Sequence, residues 1–157
     1  MNLEQYTDKA KETMVEAMES ARALDHQTIT TAHVMKAILL NNKKRFRKLI
    51  ELVGGNYYCV LQETDKMLMS LPRVEGHKNL FIDANLSESI KSAEIYAHRF
   101  GDKFIGLEAL FLGLFLGKSD ISKKLVNKMK NINQLEELVT AERRGNKIES
   151  QGHQEGD

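Results

Sequence analysis

The sequence has one cysteine, one proline and no tryptophan among its 157 residues. With Cys59 alone no intramolecular disulfide can form, so a disulfide scaffold is excluded and a reducing, cytoplasmic setting is the expectation. Pro72 sits near the midpoint, so neither half is interrupted by a residue that breaks helices. Strand patterning is missing: no run alternates apolar and polar residues with β-branched enrichment. An excess of one charge is missing too. The 23 Lys and Arg against 22 Asp and Glu leave a net charge of +1, so nothing draws the whole surface to nucleic acid or acidic lipid. The opening residues carry no basic stretch followed by an apolar core, so a secretory leader is not expected. The longest apolar stretch, Leu107 to Leu116, is far short of the roughly 20 residues a membrane-spanning helix needs.

What is present is helical spacing. Hydrophobic residues make up 41% of the chain, enough to bury one core. Ala10, Met14, Ala17, Ala21 and Leu24 fall at steps of +4, +7, +11 and +14, one stripe of a helix. Leu86, Ile90, Ala93, Ala97 and Phe100 repeat those steps 76 residues later. The same shift carries Ile29 to Ile105, Val34 to Leu110, Met35 to Phe111 and Ile38 to Leu114. It also carries Leu49, Ile50 and Val53 to Leu125, Val126 and Met129. This is an internal duplication.

The spacing predicts an all-α fold of two four-helix copies, eight helices related by a pseudo-twofold. The first copy, within 1–71, holds helices near 7–24, 30–40, 44–53 and 56–71. After a linker at 72–83, the second, within 84–143, holds helices near 84–100, 107–117, 120–130 and 132–143. Thr7 and Asp83 stand at matching N-cap positions, and Thr30 is placed to cap the second helix. Gly54-Gly55 and Gly117 suit helix ends that need a left-handed residue. The helix at 107–117 is apolar nearly all round and belongs in the interior. Residues 144–157 hold one apolar residue, Ile148, and are expected to form a flexible linker.

Several chemical motifs fail on inspection. Gly113-Leu-Phe-Leu-Gly117-Lys118-Ser119 resembles a phosphate-binding loop, but only three residues separate its glycines, they are large and apolar, and a helix precedes them. The five histidines show no i, i+4 pair and no nearby cysteine pair, so no metal site is expected. Cys59 reads as a buried, inert core residue. The basic run Lys43-Lys44-Arg45-Phe46-Arg47-Lys48 reads as a solvated helix face; any role would involve an acidic partner. No catalytic residue and no cofactor is expected.

The chain also resembles a known family. Met1-Asn-Leu-Glu-Gln-Tyr-Thr7, the stretch from Asp25-His26-Gln27 to Ala32-His33-Val34-Met35, Leu71-Pro72-Arg73-Val74, Gly101-Asp102-Lys103-Phe104-Ile105-Gly106-Leu107-Glu108, and Arg144 to Gln151 are similar, in order, to motifs of the Clp N-terminal repeat domain of ClpB-like chaperones. Asp25 stands where that family usually has glycine, and Thr31-Ala32 where it has Pro-Glu. The basic run at 43–48 replaces acidic or neutral residues.

The resemblance implies a non-enzymatic module that binds exposed apolar segments of unfolded or aggregated polypeptides and passes them to ATPase modules, with the DnaK system acting indirectly. It implies a monomer for the isolated domain and no nucleic-acid or membrane partner. It also implies a groove between the copies, beside helix 84–100 and the start of helix 107–117. Family positions tied to substrate map to Thr7, Asp102 and Glu108, and the apolar groove candidates are Ile90, Tyr96, Phe104, Leu107 and Leu110. Bland alternatives stay open: Thr7 as a cap, Asp102 closing a turn, Glu108 favouring a helix N-terminus, and Phe104, Leu107 and Leu110 as core. Adaptor docking, as in Clp unfoldases that feed a protease, or a free-standing regulator of such a chaperone are the competing functions.

Overall fold

A computed structural model describes residues 2–76 and 79–155. His77 and Lys78 of the linker lie outside the described residues. Among the described residues eight α-helices follow one another: α1 (Asp8–Ala23), α2 (Thr31–Asn41), α3 (Lys43–Leu52), α4 (Tyr57–Met69), α5 (Ala84–Phe100), α6 (Leu107–Leu116), α7 (Asp120–Leu125) and α8 (Leu135–Arg143). Two short strands, β1 (Thr28–Ile29) and β2 (Phe81–Ile82), precede α2 and α5. No helix among the described residues is long and apolar enough to cross a membrane.

The duplication is visible in the bonding. The Thr7 side chain accepts from the Ala10 amide at 3.1 Å, and 76 residues on, Asp83 accepts from the Leu86 amide at 2.8 Å. The caps expected at Thr7 and Asp83 are therefore made. The strands then tie the halves together reciprocally. Ile29 pairs with Ile82 in a parallel ladder, and Ile105 pairs with Tyr6 in a parallel bridge. The shift that turns Ile29 into Ile105 turns Tyr6 into Ile82, so each half lends the other the same strand. The bonds match as well: the Asp83 amide donates to the Ile29 carbonyl at 3.2 Å, and the Thr7 amide to the Ile105 carbonyl at 3.0 Å. Runs of one or two residues are too short to show alternation, which is why no strand was legible in the sequence.

The helices α2 and α6 form the centre. Nearly every residue of both is buried, including Val34, Met35, Ile38 and Leu39 of α2 and Leu110, Phe111, Leu112 and Leu114 of α6. Gly113 is there for packing. A Cβ on it would stand 2.4 Å from the Ser89 carbonyl oxygen and 2.8 Å from the Ala93 nitrogen, so α5 and α6 touch backbone to backbone. The apparent phosphate-loop glycine is thus the crossing point of two helices.

Three expectations need correction. The helix expected at 120–130 stops at Leu125 and gives way to a tighter turn at Val126–Lys128. There the chain turns extended so that Met129 can lie over Gly55, and the Asn131 amide donates to the Val53 carbonyl at 2.9 Å. Gly54 is left-handed as expected, but Gly117 is extended. Its lack of a side chain instead admits the Gly113 carbonyl, 2.5 Å from where a Cβ would stand. Cys59 is exposed, not buried; on α4 the core face is carried by Tyr57, Val60, Thr64 and Leu68.

Candidate polypeptide-binding site

The left-handed Gly101 ends α5 and turns the chain into the loop that leads to α6. Asp102 follows, its side chain fully buried. Arg143, from the end of α8, grips it with two bonds of 2.7 and 2.5 Å. The same carboxylate also accepts from the Ile148 amide at 2.9 Å. Two helix ends and the segment after α8 thus converge on one buried carboxylate, each bond charge-assisted.

Six residues further on, Glu108 lies in the first turn of α6, also buried. It is ion-paired with Arg45 of α3, and Arg143 stands 3.9 Å away. Burial pushes its carboxyl above the usual range, against the pull of the two guanidiniums, and nearby Glu155 pushes it the same way. The 76-residue shift relates this pair to Ala32 and Ile121, both apolar and buried. The charged crevice therefore exists on one side of the pseudo-twofold only.

The crevice encloses about 360 Å³ and is walled by Lys44, Arg45 and Lys48 of α3, by Glu108, and by Glu142, Arg143 and residues of the 146–155 segment. A second hollow of about 250 Å³ lies beside the end of α5, lined by Gln5, Glu94, Ala97, Asp102, Lys103, Phe104 and Ile105 among others. It falls between the halves, where the sequence reading places a groove.

The segment after α8 is not the loose linker its composition suggests. Ile148 is buried, and its carbonyl accepts from the Lys103 amide at 2.8 Å. The Gln151 carbonyl accepts from the Asp8 amide at 2.7 Å, and its side chain donates to the carbonyls of Glu4 and Tyr6. Glu155 accepts from the Leu107 amide at the N-terminus of α6 at 2.9 Å, where the helix dipole favours a carboxylate. Composition counts one apolar residue; it does not show that the segment's main chain has partners waiting. Residues 156 and 157 lie outside the described residues.

The structure separates the expected site residues. Thr7, Asp102 and Glu108 are all buried or nearly so and all border the 146–155 segment, Thr7 through its neighbours Tyr6 and Asp8. Phe104 is half-buried and lines the smaller hollow. Tyr96 is half-buried on α5, with the Arg99 guanidinium 5.3 Å from its ring, and does not line that hollow. Leu107, Leu110 and Ile90 are corrected: at 1%, 0% and 8% exposure they are core residues and offer no surface to a ligand. A helix that is apolar all round cannot reveal which residues face a groove. Sequence reasoning also missed Arg45 and Arg143, whose role depends on three elements meeting.

A duplicated helical domain built on reciprocal strand exchange defines the class: the chain belongs to the Clp repeat (R) N-terminal domain family, whose model matches residues 5–128. Among particular proteins it is similar to the chaperone protein ClpB of Bacteroides thetaiotaomicron, 26% identical over 155 residues, 99% of this chain. The chain spans 18% of that relative's length. The fold is similar to the N-terminal domain of Hsp104 from Candida albicans (TM-score 0.79, 13% identity, 95% of this chain and 98% of that one). It is also similar to a ClpV N-domain in a complex with a VipB peptide (TM-score 0.66, 14% identity, 87% and 86%).

Proposed function

We propose that this chain is the polypeptide-engaging module of a ClpB-like chaperone, binding exposed segments of unfolded or aggregated proteins and delivering them to ATPase modules while doing no chemistry itself. The observation that carries the reading is the seam beside α5 and α6. There the Lys103 and Asp8 amides hold the chain's own irregular main chain through the carbonyls of Ile148 and Gln151. Main-chain bonding is what any unfolded polypeptide offers, whatever its sequence. The similar ClpV N-domain carries a peptide, which points the same way. On this reading Asp102 and Glu108 set the shape of the seam, and Phe104 is its apolar contact. A few such contacts, less the cost of association, leave affinity in the range of about micromolar to millimolar. Presentation of several copies on one assembly would restore retention by avidity.

Fluorescence anisotropy with a labelled, permanently unfolded protein tests this. Binding of the unfolded form, none of its folded counterpart, and weakening by Phe104→Ser are expected. No binding at millimolar domain would sink the proposal. A second reading, docking of one specific partner, is favoured by the exposed basic face of α3, where Lys43, Lys44, Arg47 and Lys48 lie together. It predicts tight binding of a single acidic protein and indifference to unfolded chains.

A further inference from the structure

We propose that residues 146–155 are an internal ligand of this seam, and that what competes with them is a peptide segment carrying an aliphatic residue followed by carboxylates. The proposal rests on the polypeptide-binding reading above and specifies its ligand. The segment lies beyond the second copy, so it is an addition to the duplicated unit, yet it bonds to Asp102, Lys103, the N-terminus of α6 and the strand entering α1.

Its bonds are those of a bound peptide. Ile148 is seated through both its amide, to Asp102 at 2.9 Å, and its carbonyl, from Lys103 at 2.8 Å. Its side chain fills a place open only because residue 106 is glycine: a Cβ there would lie 2.6 Å from Ile148 Cδ1. The next residue, Glu149, pairs with the Lys103 ammonium at 3.1 Å. Gln151 is bound through main chain and side chain to the strand entering α1. Glu155 ends the run on the Leu107 amide, and the Lys9 ammonium lies 3.4 Å from its carbonyl.

The other half shows what an unoccupied design looks like. At the N-terminus of α2, related by the shift to that of α6, the Thr31 hydroxyl donates to Asp120 of α7 at 2.8 Å. A residue of the body serves that end, whereas α6 is served by a separable strap. The walls select the ligand's charge. Lys44 and Lys48 stand exposed at the crevice rim, with Arg45 and Arg143 below them. Glu108 lies between the two guanidiniums, so the added charge the seam accepts is the pair of carboxylates at positions 149 and 155. The physical requirement on a competitor is therefore an aliphatic side chain for the Gly106 notch and an acidic flank.

Three forms of the 157-residue chain test this, each in a Cys59→Ser background. In one, Ile148→Ser with Glu155→Gln loosens the strap. In another, Lys103→Cys with Glu149→Cys is oxidised to lock it down, and the reduced form is its own control. The probe is a labelled peptide with the sequence of residues 146–155, beside the same peptide with its isoleucine changed to serine. If the strap is seated about nine-tenths of the time, loosening it tightens peptide binding about tenfold, because apparent affinity scales with the open fraction. The locked form should not bind, and the serine peptide should bind none of the forms. Hydrogen exchange controls for folding: the Lys103, Asp8 and Leu107 amides should lose protection in the loosened form while those of α6 from Leu110 onward keep it. Equal peptide binding by the locked and reduced forms would overturn the proposal, as would unchanged affinity in a loosened form that remains folded. If unfolded protein binds all forms equally, the strap idea fails and the functional reading stands; if it binds none, the functional reading itself fails.

Discussion

Two buried histidines show how closely this chain specifies protonation. The Nδ1 of His33 accepts from the Thr30 amide at 2.9 Å, which leaves its Nε2 to donate to Nδ1 of His26 at 2.8 Å. A proton added at Nδ1 of His33 would face the Thr30 N–H. Burial first, and His26 second, push His33 down to about 4. His26 is also lowered, by burial and by Arg73, with Asp25 opposing. The folded state thus favours the neutral ring. That preference stabilises the protein fully above pH 6.5 and is lost as pH falls from there towards about 4. Urea midpoints should drop between pH 7 and pH 5, and His33→Gln should flatten that slope by removing about 1–3 kcal/mol of pH-dependent stability. At this scale the sequence was partly legible. Asp25 stands where the family has glycine, and its φ of +57° shows why glycine suits the position. The pairing of His26 with His33 was not legible, because their i, i+7 spacing meets only across a turn.

At the level of elements, α6 carries the most exacting contacts. Gly113→Val would push α5 and α6 apart against backbone atoms and should cost about 1–3 kcal/mol or more, read as a fall in thermal midpoint. The bridge from α3 to α6 makes a different demand. Arg45→Met strips Glu108 of its first partner and should cost about 3–5 kcal/mol, while adding Glu108→Leu should recover most of it, as denaturant titration of the two variants would show. All eight helices were legible from spacing, and Thr7 and Asp83 marked their starts correctly. The end of α7 was not, since it depends on Met129 reaching across to Gly55 in the other half. Nor was the site: Leu107, Leu110 and Phe104 fall in one stretch of sequence, and only packing separates the two core residues from the half-exposed one.

For the molecule as a whole, the halves cannot be melted apart. The buried faces of α2 and α6 belong to one core, and the strand pairs cross between copies. Urea unfolding should therefore give a single transition, coincident by circular dichroism and by the fluorescence of the four tyrosines, with both copies contributing to its steepness. Two separated transitions would contradict this. The reciprocal loan of strands has a further consequence. A chain carrying just one copy would be left with a donor edge and an acceptor edge, each shaped for its own counterpart. Two such chains would satisfy each other completely by swapping. The architecture is thus that of a symmetric swapped pair written into one chain, and a single chain is free to place charges on one side, as at Arg45 and Glu108, and apolar residues at the related places, Ile121 and Ala32.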